Sequence, residues 1–93
     1  MAAGCETAKV WRLLGDLYLK SGLRLLAEQN YETALALATD SLEEQALTQY
    51  GLDTLYARVE KPEKATEYLE AAQAGALELG DDVLAADIAA ELP

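Results

Sequence analysis

The sequence predicts an all-α domain, and three observations carry that prediction. Apolar residues recur at spacings of three and four along nearly the whole chain. Leu, Ala and Glu, all strong helix formers, dominate the composition, and β-branched residues are few. Capping and breaking residues punctuate the periodic stretches at helix-sized intervals. A chain of 93 residues makes one domain with a modest core.

The first stripe is Trp11, Leu14, Gly15 and Tyr18, at i, i+3, i+4 and i+7. Gly22 suits the left-handed conformation that follows a last turn, so the first helix is predicted over residues 6–20. Gly15 is the odd member of that stripe. A mid-helix Gly costs about 1 kcal/mol relative to Ala, so something is expected to approach its backbone closely. Leu23, Leu26, Ala27, Tyr31, Ala34, Leu35 and Ala38 predict a second helix over 23–38. Only a tight turn separates the two, which predicts antiparallel packing.

In TDSLEE, Ser41 and Glu44 form a capping-box pattern, and Asp40 with Glu43 offers the same pattern one residue earlier. Acidic residues there also suit the helix dipole. A third helix is predicted over 42–58, with Leu52, Leu55, Tyr56 and Val59 near its end. Pro62 fits a helical first turn, where its missing N–H is not needed. It predicts a fourth helix over 62–79, with Ala65, Leu69, Ala72 and Ala76 on one face. Gly80 ends that helix, and Asp81 caps a last one running to Leu92.

The formal net charge of −10 argues against nucleic acid and against an anionic membrane surface, since both are bound through Lys and Arg. It also keeps an apolar-rich chain soluble. One cysteine, Cys5, allows no intrachain disulfide, which fits a reducing compartment. MAAGC resembles the small residues before a lipid-modified cysteine, but no apolar signal segment precedes it. No apolar run is long enough for a bilayer. A soluble cytoplasmic protein is expected.

Enzymatic chemistry is not expected. There is no His to act as an imidazole base, and Cys5 has no imidazole to activate it. No glycine loop of phosphate-binding type occurs. Asp81 and Asp82 read as a helix cap rather than a metal site, and Glu63, Glu67 and Glu70 as a solvated face. No cofactor and no metal are expected.

The first two helices carry W-x2-L-G-x2-Y at Trp11, Leu14, Gly15 and Tyr18, then A-x3-Y at Ala27 and Tyr31, then Ala34. This resembles the tetratricopeptide repeat, with Tyr31 in place of the usual Phe and Thr39 in place of the closing Pro. A weaker copy spans 46–79. There Leu52, Tyr56, Ala65, Leu69 and Ala72 keep the large and small places, while Gln49 replaces the tryptophan and Asp53 the glycine. The last helix, at 81–92, keeps phase through Val83, Ala86 and Ala90. The resemblance implies antiparallel hairpins stacked as a short right-handed solenoid, with about two repeats and a C-terminal capping helix in a single domain over 1–93. It implies that Gly15 admits Ala27 of the second helix, with Trp11 and Tyr18 filling the space around that contact.

It further implies a concave groove that binds a peptide or protein segment. Lys9, Arg12, Asp16, Leu19 and Lys20 of the first helix would face it, as would Leu47, Tyr50, Thr54 and Arg58 of the third and Leu84, Ile88 and Leu92 of the last. Lys9, Arg12, Lys20 and Arg58 against Asp16 give this face +3, which leaves −13 for the remainder of the chain. Such a strip would steer an acidic partner inward. Alternatively, Arg12, Asp16 and Lys20, spaced four apart, form only a helix-stabilising ladder. A subset of the family grips peptide carboxylates with Lys, Arg and Asn. Asp16 and Gly51 stand where that subset has Asn, so its specificity does not carry over. Leu84, Ile88 and Leu92 either bury against the repeats or remain exposed for docking or self-association. A homo-oligomer, or a piece of a longer solenoid joined through the last helix, is the alternative function.

Overall fold

The computed structural model describes residues 2–91, with side chains from residue 6 onward. It is all-helical: α1 Ala2–Lys20, α2 Arg24–Leu37, α3 Leu42–Arg58, α4 Pro62–Leu79 and α5 Asp82–Ala89. Four of the five predicted helices end where expected or within a residue. α1 starts four residues earlier than predicted, and α5 ends at Ala89, short of Leu92, which lies outside the described residues.

The connections follow the local chemistry. Gly22 and Gly80 take left-handed φ values of 79° and 72°, which cost Gly nothing after a helix end. The turn after α3 has the same form, closed by Lys61 N–H donating to the Tyr56 carbonyl. Here a non-glycine residue, Glu60, supplies the positive φ of 59°. The Asp81 side chain accepts from the Leu84 N–H at 3.0 Å. The Ser41 hydroxyl accepts from the Glu44 N–H at 3.2 Å. The reciprocal half of the expected capping box is absent. Ser41 N–H donates to the Ala38 carbonyl instead, and the Glu44 carboxylate goes to Arg12 of α1.

Pairwise contacts give the directions. Ala46 of α3 lies beside Gly75 of α4, and Tyr56 stacks on Tyr68 with ring centroids 5.6 Å apart. Rising numbers on α3 therefore meet falling numbers on α4, so the two are antiparallel. Tyr31 meets Gly51, and Glu28 accepts from the Tyr56 hydroxyl, so α2 also runs against α3. By contrast Arg12 meets Glu44, and Arg58 Nη1 donates to the Leu19 carbonyl, so α1 and α3 run the same way.

Two apolar clusters hold the helices. One joins Leu19, Ala27, Tyr31, Leu52, Leu55 and Tyr56 across α1, α2 and α3. The other joins Ala46, Leu69, Ala72 and Ala76 to Leu84, Ala85 and Ile88 of α5.

The nearest neighbour of Gly15 is the ring of Tyr31. A Cβ at Gly15 would stand 2.8 Å from ring carbons of Tyr31, and one at Gly51 would stand 2.7 Å from the other end of the same ring. The fully buried ring is thus wedged between α1 and α3. Trp11, expected to fill space beside Gly15, is 36% exposed. The reading of Leu84 and Ile88 as an exposed docking stripe is also corrected. Both are buried, Ile88 completely, because that face of α5 closes the second cluster against α4.

Candidate functional site

Because α1 and α3 run side by side, equivalent turns of the two helices meet along one surface. Arg12, Asp16 and Leu19 of α1 line a cleft of about 230 Å³ with Leu47, Tyr50 and Thr54 of α3. Tyr31 and Gly51 complete its wall. A recess of about 290 Å³ adjoins it at α5, and two more, of about 430 and 320 Å³, lie at the turns 60–64 and 22–26. Each of the latter two is lined by five consecutive residues, with no side chains converging from separate helices. The α1–α3 cleft is therefore the more specific feature.

Arg12 is the electrostatic centre of the cleft, and it is already committed. Its Nε donates to Glu44 Oε1 at 2.8 Å, and its Nη1 lies 3.5 Å from Asp16 Oδ2. The Arg12 and Glu44 side chains are only 12% and 5% exposed. Asp16 is tied a second time, since it accepts from the Tyr31 hydroxyl. Burial and that carboxylate hold the Tyr31 phenol well above the usual tyrosine range. The cleft floor is thus a fixed chain running Glu44, Arg12, Asp16, Tyr31. Of the expected ladder, the Arg12–Asp16 rung forms. Lys20 is exposed and takes no part in the ion pairs found among the described residues.

Beyond Leu47 the surface continues into a recess shared with α5, lined by Glu43, Asp81, Val83, Leu84 and Asp87. At this end the Tyr50 hydroxyl donates to Glu91. That bond, then burial, then the nearby carboxylates push the Tyr50 phenol up to about 12. Asp53 is buried, and desolvation together with the Glu91 charge raises its carboxyl to about 6.

The surface is therefore polarised. Arg12 is neutralised by its partners, while Glu43, Asp87 and Glu91 make the α5 end acidic. Exposed positive charge lies at Lys9 and at Lys20 with Arg58, the latter two brought together by the Arg58 bond to the Leu19 carbonyl at 3.4 Å. Lys9, Lys20 and Arg58 do not line the cleft itself.

Sequence reasoning missed Tyr31, Gly51 and Glu44 as parts of this surface. Tyr31 and Gly51 had a legible signal: one aromatic large enough to need two glycines. Glu44 was masked by its fit to a capping box. No helix among the described residues is long and apolar enough to cross a membrane. No family model matches the chain, and no curated protein or solved structure matches it.

Proposed function

We propose that the chain is a small protein-interaction module of tetratricopeptide type, with hairpins over 8–41 and 46–79, an end helix over 81–92, and a partner segment held along α1, α3 and α5. The observation that carries this reading is the convergence of Arg12, Asp16, Leu47, Tyr50 and Thr54 from two parallel helices in one open cleft. The common direction of α1 and α3, with α2 and α4 set against α3, supports the solenoid reading. So does the phase of the repeated pattern in the sequence.

The cleft is smaller than the roughly 300–1,000 Å³ of small-molecule sites. It suits one or two side chains of an extended segment instead. Leu47 and Tyr50 supply apolar contact, and Thr54 and Asp16 supply polar contact. An acidic group of the partner belongs near Lys20 and Arg58, and a basic one near Glu43 and Asp87. The module is not an enzyme in this reading, and it functions in the cytoplasm without a cofactor.

The test is selection of a random peptide display library on the native chain and on a Leu47→Arg/Thr54→Arg variant, both checked for helicity. Peptides enriched on the native chain alone, and weakened by Lys20→Glu with Arg58→Glu, are the expected result. Equal enrichment on both baits, or none, overturns the assignment. Arg12 is left intact because its loss would disturb Glu44.

A further inference from the structure

The α1–α2 edge of the molecule carries an apolar surface that nothing among the described residues covers. Val10, Leu13 and Leu17 follow one another at helical spacing on α1 and are 49–58% exposed. Leu26 and Leu37, on one stripe of α2, are 42% and 37% exposed. This stripe of α1 lies away from Arg12 and Leu19, the residues that meet α3. The far end of the molecule has its own uncovered stripe. Leu84 and Ile88 turn inward, which leaves Val83, Ala86 and Ala90 outward on α5, with Val83 74% exposed.

Charge decides how these two edges are used. Residues 1–37 hold four basic and four acidic side chains, so the whole net charge of −10 sits on residues 38–93. Lys9, Lys20 and Arg24 are exposed on the first hairpin, and none of them joins the ion pairs found among the described residues, which all belong to Arg12. The α5 stripe is flanked by exposed Glu78, Asp82 and Asp87. Two α5 edges brought together would set acids against acids, whereas the first hairpin, with exposed Glu6 and Glu32 beside Lys9, Lys20 and Arg24, is neutral overall and meets an acidic edge without that repulsion. An α5 edge on an α1–α2 edge matches apolar stripe with apolar stripe and acid with base. The small Ala86 and Ala90 side chains let the α5 backbone approach closely.

We infer that the occupant of the α1–α2 edge is the α5 edge of a second copy of this chain, in a head-to-tail contact. Such a contact is heterologous. The joined pair keeps one free edge of each kind, so association continues into short open chains or a ring. The inference uses residues outside the α1–α3 cleft; Val83 also lines the adjoining α5 recess, so the head variant, which leaves that recess intact, separates the two readings.

The test is sedimentation equilibrium on three proteins. The native chain gains mass with concentration between about 10 and 500 µM, since the contact is a small one. A head variant, Leu13→Glu/Leu17→Glu, and a tail variant, Val83→Glu/Ala86→Glu, each lose association by about tenfold or more and sediment as monomers. Mixed, they form a 1:1 dimer that grows no further, because one intact head and one intact tail remain. A native chain that stays monomeric overturns the inference. So does either variant that still associates alone, or a mixture that remains monomeric. All four sites are exposed, and Gln versions of the same pairs, with helicity checked, supply folded variants if the Glu versions unfold. Peptide binding measured on the monomeric head variant keeps the cleft reading separate.

Discussion

The buried ring of Tyr31 makes Gly51 a position where a helix-favouring substitution should fail. Gly51→Ala places a Cβ 2.7 Å from the ring, against about 3.5–4.0 Å for a comfortable carbon contact. The ring cannot retreat. The Gly15 backbone crowds the same ring, since a Cβ there would stand 2.8 Å away, and the Tyr31 hydroxyl is tied to Asp16. Overpacking of this kind costs about 2–3 kcal/mol, and the gain in helix propensity returns about 1 kcal/mol. The net expectation is a loss of about 1–2 kcal/mol, seen by urea unfolding followed by circular dichroism. It corresponds to a fall in Tm of roughly 4–16 °C for a domain of this size. In a Tyr31→Leu background the ring is gone, and the same Gly51→Ala change should stabilise by about 1 kcal/mol. The sign therefore reverses between backgrounds. If Gly51→Ala stabilises the native chain, or has the same effect in both backgrounds, the wedge argument is wrong.

Three further perturbations follow from the same structure. Arg12→Met leaves Glu44 buried without its cation and should cost about 3–5 kcal/mol by chemical denaturation, while the Arg12→Met/Glu44→Met pair recovers most of that loss. Asp53 has a folded-state carboxyl raised from 3.8 to about 6, so the folded chain binds more protons than the unfolded chain between these values. Its contribution to stability is then full below pH 4 and is lost as pH rises through 6. Asp53→Asn should stabilise above pH 7, by at most about 3 kcal/mol, and the gain should vanish near pH 4 in parallel melts. Glu60→Gly relieves a left-handed residue while keeping its backbone bond to the Ala57 carbonyl, and should raise stability by about 1 kcal/mol in thermal unfolding.

How far the fold was legible depends on the range of the forces involved. Helix positions follow from neighbours within a turn: Ser41 and Asp81 cap, Pro62 starts, and Gly22 and Gly80 stop. Each of these acts over a few residues, so each is readable without the fold. The apolar stripe of α4 was readable for the same reason, and Ala65, Leu69, Ala72 and Ala76 are all buried. Trp11 shows the limit. The resemblance implied that it fills space beside Gly15, but how far it is covered depends on what stands opposite, and the Tyr31 ring is what lies nearest Gly15.

The candidate surface was legible as a helix face but not as an electrostatic object. The repeat resemblance implied that Arg12, Asp16, Leu47, Tyr50 and Thr54 share one face, and all five line the α1–α3 cleft. Adding their formal charges gave a basic strip. The structure instead pairs Arg12 with Glu44, thirty-two residues away, and brings Glu91 onto Tyr50, forty-one residues away. Charges in a sequence add, whereas charges in a fold are neutralised by whichever neighbour the packing supplies.

The sequence by itself determined five helices, their order and their capping, because hydrogen bonding and side-chain periodicity along a helix are local. Only the tertiary structure decided that Tyr31 lies between two glycines, that Arg12 belongs to Glu44, and that Leu84 and Ile88 turn inward while Val10, Leu13 and Leu17 stay uncovered. Those outcomes depend on how close one helix comes to another and on which faces meet. That is a matter of ring volume against missing Cβ atoms and of charge against desolvation, quantities with no value until distant residues share the same space.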